Sequence, residues 1–209
     1  FDKQNFVLNS GQLINVNEVR LQNLLKLQSQ YSKTPTYAKI CLSIAQIYEN
    51  QGQYVKAIEE ATKGATFKSP SPVNETESCK NVISNIKKVS VEVLSEKTLT
   101  SLVDNKVQLK YRNTNQLYVR IYKTDFAEIH NKNNTFREKN GYYPNFEKLF
   151  VEYFKQKTIY RTQNYKFISN PDYGYETTEL ILPKLESGMY YMVYCSSPDF
   201  DSDKSLVSG

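Results

Sequence analysis

Apolar residues recur at helical spacing through the first ninety positions and at alternate positions after them, so the sequence predicts a helical half followed by a β half. Asn15 with Glu18 three residues later forms a capping box, and Leu21, Leu24, Leu25 and Gln28 follow on one face, predicting a helix over Val16 to Gln30. Thr34 and Pro35 supply a cap and a first-turn proline for a second helix carrying Tyr37, Ile40, Cys41, Ile44, Ile47 and Tyr48, which Asn50-Gln51-Gly52 ends. A third places Tyr54, Ala57, Ile58, Ala61 and Ala65 on one stripe and stops before the loop Lys68-Ser69-Pro70-Ser71-Pro72. Asn74 and Glu77 cap a fourth, which buries Cys79, Val82, Ile83 and Ile86 and ends in Lys87-Lys88, favourably placed against the carboxyl end of the helix dipole. The first ninety residues read as entirely helical.

From Val89 the period falls to two. Val89, Val91 and Val93 alternate with polar residues, as do Val107, Leu109 and Tyr111. After a turn at Asn113-Thr114-Asn115, Leu117, Val119 and Ile121 line one face of the next strand and Tyr118, Arg120 and Tyr122 the other, so these two strands are expected to form a hairpin. Three more strands are predicted over Thr158 to Phe167, Tyr175 to Leu182 and Gly188 to Cys195, and a seventh starts around Ser205. Six or seven antiparallel strands favour a β-sandwich.

Phe126 to Lys157 is too long for a plain connection. Asn145 is expected to cap a helix with Phe146, Leu149, Phe150, Tyr153 and Phe154 on one face, folding the insertion down over an edge or face of the sheets. The polar tract Asn131 to Gly141 reads as a mobile loop. The Lys87-Lys88 junction is too short for a flexible linker, so the two halves are expected to dock rigidly.

Composition narrows the function more than it defines it. The net charge of +5, from 27 basic and 22 acidic residues, is spread along the chain with no block of like charge, which argues for a solvated surface rather than a nucleic-acid arm. No apolar run approaches the length of a membrane helix. The chain opens at Phe1 without an initiator Met and is read as a piece of something longer. Seventeen Tyr and no Trp suit strands, since Tyr is a good β-former. The alternative is a glycan platform built on exposed Tyr118, Tyr122, Tyr190 and Tyr194.

Little in the chain bears catalytic chemistry. His130 is the only histidine, placed by this reading in a solvated loop. Asp199, Asp201 and Asp203 are spaced as a calcium loop would space them, but the sixth position is Lys204 where such a loop has Gly, so an exposed acidic turn is expected. No Gly-rich phosphate loop or Gly-x-Ser-x-Gly elbow occurs. Cys41, Cys79 and Cys195 fit no CxxC spacing and read as small buried hydrophobes; a Cys41–Cys79 disulfide stays open, since their helices should be neighbours.

Two resemblances extend this reading. "YAKICLSIAQIYENQGQYVKAIEEATKGA" resembles one tetratricopeptide repeat at Ile44, Ala45, Tyr48, Gly52, Tyr54, Ala57, Ile58 and Ala61, where small residues let two antiparallel helices approach closely. The combination of "LKYRNTNQLYVRIYK", a helical insertion and "YETTELILPKLESGMYYMVYCSS" resembles the first macroglobulin-type domain of bacterial alpha-2-macroglobulin-like proteins, over about residues 36 to 200. The resemblance implies an α+β chain with tetratricopeptide-like helices over 1–87, then a macroglobulin-like β-sandwich over 88–209 with its insertion at about 126–157. It further implies a non-enzymatic scaffold segment of a protease-trapping protein of the periplasm or cell surface. Its partners would be further macroglobulin-type domains of the same chain and a protease or envelope protein, with neither nucleic acid nor membrane insertion. No Cys-Gly-Glu-Gln thioester run is present, so no residue inherits a catalytic, cofactor-binding or metal-binding role. A rival reading has the helical half hold a peptide in a polar-lined groove.

Overall fold

The computed structural model describes residues 6–9, 12–68, 74–94, 100–145, 148–149, 153–200 and 207–208. It is a mixed α+β chain that forms two compact units: Phe1–Lys88 with Asp172–Gly174, and Val89–Pro171 with Tyr175–Gly209.

The first unit opens with an antiparallel pair, β1 (Phe6–Asn9) and β2 (Gln12–Asn15), so this half is not entirely helical. The sequence sets two short apolar runs on either side of Ser-Gly, a hairpin-turn signal that a search for helical spacing passes over. Among the described residues four helices follow: α1 (Val16–Gln30), α2 (Thr36–Asn50), α3 (Tyr54–Ala65) and α4 (Asn74–Lys87). The Asn15 cap on α1 is made, its side chain accepting from the backbone N–H of Asn17 and Glu18 at 3.1 and 3.3 Å. The Thr34 cap on α2 is not. Pro35, already helical at φ −55°, takes the cap position, and the Thr34 hydroxyl turns back to donate to the Tyr31 carbonyl at 3.0 Å. Gly52, at φ +72°, makes the turn between α2 and α3 with no side-chain penalty. Ala45, Ala57 and Ala61 then bring α2 and α3 together over Cys79, Val82 and Ile86 of α4, while Leu21 of α1 packs on Ile40, Ile44 and Ile47.

Among the described residues the second unit holds seven strands: β3 (Ser90–Leu94), β4 (Asn105–Arg112), β5 (Gln116–Thr124), β6 (Arg161–Lys166), β7 (Glu176–Leu182), β8 (Met189–Cys195) and β9 (Val207–Ser208). They form two antiparallel sheets, ordered β3-β4-β7 and β6-β5-β8-β9. Val91, Val107, Leu109, Tyr111, Leu180 and Leu182 of the first sheet share one core with Leu117, Val119, Ile121, Met192 and Tyr194 of the second. The expected β4–β5 hairpin is therefore absent: β4 pairs with β3 and β7, and β5 with β6 and β8. The Asn113-Thr114-Asn115 turn, with Asn113 at φ +58°, carries the chain from one layer to the other. Both strands aim their alternating apolar residues at the same core from opposite sides, which the alternation alone could not distinguish from side-by-side pairing.

The tract expected to be a mobile loop is helical. The helix α5 (Phe126–Asn140) includes Asn131 to Asn140, and only Gly141 lies beyond it. Its ends explain this. The Asp125 side chain accepts from the Glu128 N–H at 2.7 Å, Arg137 and Lys139 sit in the last turn, and Gly141 closes the helix at φ +80°. None of its residues is buried, so it lacks the apolar stripe that reveals a helix by periodicity. Farther on, the Asn145 side chain accepts from the Lys148 N–H at 3.0 Å, as expected of a cap, and a short 3-10 turn (Phe154–Gln156) follows. Phe146 and Phe150 lie outside the described residues.

Candidate functional site

The insertion covers one face of the second unit. On the outer side of β5 and β8, Tyr122, Val193 and Cys195 are buried beneath Leu149, Tyr153 and Phe154, with Phe200 sealing the same cluster and Tyr118, Tyr191 and Ile129 packed around it. Phe154 is the centre. Its ring stacks on Tyr191 (centroids 4.5 Å apart, planes 23° apart) and tilts against Tyr122 (5.2 Å) and Tyr153 (4.8 Å). The Arg120 guanidinium lies over the Phe200 ring at 4.0 Å and donates to the Pro198 carbonyl at 3.2 Å.

A polar knot fastens the cover where the insertion leaves and rejoins the sheet. Lys157 donates to Glu128 Oε2 at 2.5 Å and to the Tyr153 hydroxyl at 2.6 Å, and the Thr124 hydroxyl donates to the same Glu128 oxygen at 2.9 Å. The hydrogen bond from Lys157, with those of Tyr153 and Thr124, holds the Glu128 carboxyl down to about 2, against the opposing effect of burial. For Lys157, burial disfavours the charge, but Glu128 and Tyr153 outweigh it and leave its pKa raised. Beside the knot, Lys132, Lys139, Phe136, Leu149 and Tyr153 line an open cavity of about 220 Å³.

The helical unit has its own polar cluster. Glu60 is the one buried charged residue among the described residues, accepting from Gln28 Nε2 at 2.7 Å and from Lys63 at 2.6 Å. The same Gln28 amide reaches the Cys41 sulfur at 3.2 Å. Gln28 of α1 therefore reaches both α3, through Glu60, and α2, through Cys41. Burial raises the thiol pKa of Cys41, and that of Cys79 to about 11, so both are held as thiols. Sequence reasoning missed Glu60 because it falls among the apolar positions of α3 without a partner nearby in sequence except Lys63.

The sequence-expected residues are scattered. Tyr122 and Tyr194 are each 1% exposed, on opposite faces of the four-stranded sheet, while Tyr118 and Tyr190 are partly buried. These four cannot form an exposed stacking platform, and the glycan reading built on them fails: the outer-facing pair lies under the insertion and the inner-facing pair lies in the core. His130 stands on α5, not in a loop, stacked on Phe126 with its Nε2 3.0 Å from Asn134 Nδ2. Cys41, Cys79 and Cys195 are free thiols, all fully buried as expected. Asp199 accepts from the Ser197 hydroxyl; Asp201 and Asp203 lie outside the described residues. Among the described residues, no group of three or more His, Cys, Asp or Glu is arranged to hold a metal ion, and no helix is long and apolar enough to cross a membrane. Compared with protein-family models, with curated proteins and with solved structures, the chain finds no match in any of the three.

Proposed function

We propose that this chain is a non-catalytic scaffold and interaction module, the amino-terminal part of an alpha-2-macroglobulin-like, protease-trapping protein of the periplasm or cell surface. The observation that carries the reading is the organisation of the second unit. Its strands form antiparallel sheets of three and four with a shared core, and they arise from the stretches whose pattern resembles a macroglobulin-type domain. A scaffold domain needs a rigid body with well-sealed layers, and the largest fully buried side chains, Tyr122, Tyr194 and Phe154, pack into its two apolar clusters. The helices α2 and α3, with their close alanine packing, fit a tetratricopeptide-like unit placed before that domain.

The test is to read the source gene on both sides of this segment and express the whole protein. The reading expects further sandwich domains and a protease-cleavable segment. After incubation with an excess of protease, the whole protein should be cleaved once or a few times and co-elute with the protease, which would keep activity on small peptides but lose it on large proteins. A reading frame without further sandwich domains, or a protease that elutes alone with full activity on large substrates, sinks the proposal.

A further inference from the structure

Where α2, α3 and α4 meet, Cys79 and Cys41 both lie against Gly64, Cys79 through its sulfur and Cys41 through its Cβ. A Cβ placed on Gly64 of α3 would stand 2.5 Å from the Cys79 sulfur and 3.1 Å from the Cys41 Cβ. The Cys79 sulfur and the Cys41 Cβ are therefore no farther apart than those two distances laid end to end. Any side chain at position 64 would drive into the Cys79 sulfur, and glycine leaves that space for sulfur instead. Both cysteines are fully buried, on helices already held against each other by Ala45, Ala57, Ala61, Val82 and Ile86. A disulfide needs Cβ atoms about 3.5–4.5 Å apart, so closing it calls for the Cys41 sulfur to turn from Gln28, 3.2 Å away, toward Cys79 and for α2 and α4 to adjust.

We propose that Cys41 and Cys79 form a disulfide that ties α2 to α4, made by exchange with a small-molecule or protein disulfide as the chain folds. One cysteine, as thiolate, attacks the sulfur–sulfur bond of the oxidant and releases one reduced thiol; the second displaces the other half. One disulfide breaks and one forms. The two electrons and the two protons from the cysteines end on the released thiols. Exchange belongs to folding rather than to the finished fold, because burial there removes both the access and the thiolate that attack requires. Cys195, in the second unit, is the spare thiol of an odd count. Retention of the bond in the cell rests on the exported location proposed above; its formation by these two helices does not.

The experiment is to unfold and reduce the full chain and refold it in a mixture of reduced and oxidised glutathione, alongside a Cys195→Ser variant. The expected product is two hydrogens lighter than the reduced chain, shows one titratable thiol in denaturant (none in the variant), yields a peptide linking Cys41 to Cys79, and melts several degrees higher than the reduced protein. Three titratable thiols, glutathione retained on Cys41 or Cys79, or a link to Cys195 would overturn the proposal. Gly64→Ala, checked for helical content in the reduced state, should lower the yield of the cross-link at least about fivefold, and an undiminished yield would overturn the role of Gly64. Alkylating the protein as it is taken from its source cells separates the two readings. A bond that forms in the tube while the cellular protein is reduced upholds the pairing and sinks the exported location.

Discussion

The two sheets of the second unit turn very different outer faces away from their common core. The three-stranded sheet is open: Lys106, Glu179 and Ile181 stand in solvent, Ile181 at 56% exposure, with ion pairs Lys106–Glu179 at 2.8 Å and Lys110–Glu92 at 3.8 Å and Tyr175 under Lys110 and Arg112. The four-stranded sheet is covered, and the same positions of its strands carry Tyr122, Tyr191, Val193 and Cys195 beneath the insertion. Both faces have charge pairs and aromatic contacts. The difference is water: the pairs on the open face are exposed and screened, whereas the rings on the covered face exclude solvent and the Glu128–Lys157 pair works in partial burial.

That contrast should appear as a steep gradient of mutational cost. Phe154→Ala removes a fully buried ring with three aromatic neighbours and should lower unfolding stability by about 3 to 5 kcal/mol in denaturant titrations, with loss of the near-ultraviolet tyrosine signal. A cost below about 1 kcal/mol would mean that the cover is not a true second core. Glu128→Gln and Lys157→Met should each cost about 1 kcal/mol, the pair being partly exposed and its strength discounted for screening. The sign of the accompanying pH dependence is definite. The folded state holds Glu128 near 2, below its ordinary 4.5, so its contribution is complete above about pH 4.5 and is lost as pH falls toward 2. Acid unfolding of Glu128→Gln should lack this component, and a variant with the wild-type acid profile would remove the knot from the account. On the open face, Lys106→Ala and Glu179→Ala should leave the unfolding midpoint unmoved at physiological salt, alone or together. A measurable coupling between them would show that the face is covered in the working protein.

The contrast was partly legible in the sequence. β4 alternates Val107, Leu109 and Tyr111 with Lys106, Gln108 and Lys110, the pattern of a strand with one wet face, whereas β8 runs Tyr190-Tyr191-Met192-Val193-Tyr194-Cys195 without a polar break, the pattern of a strand buried on both sides. β5 carries apolar residues on both faces too, so the difference between β4 and β5 was a sign that they belong to different sheets. Pairing them as a hairpin gave more weight to the turn between them than to that difference. The helices α1 to α4 were legible because each has an apolar stripe and end signals together. For α5 only the end signals exist, at Asp125, Glu128 and Gly141, and polarity was mistaken for disorder. The Glu128 knot was not legible: Thr124, Glu128, Tyr153 and Lys157 come together only once the insertion has folded back, and no local pattern marks them.

The passage of the chain from layer to layer at Asn113-Thr114-Asn115 also bears on the order in which the molecule assembles. β3 and β4 pair as neighbours in the chain, but completing either layer needs partners remote in sequence, Asn105 with Leu182 and Tyr118 with Cys195. The loop-closing entropy comes before most of the reward, which places folding of this unit in the slow range of about milliseconds to seconds. The antiparallel helices α2 and α3, joined by Gly52, close a short loop and face no such delay. A nascent chain would have its helices in place while β4, paired only with β3, and β5, with both edges bare, still waited for strands the ribosome had yet to deliver.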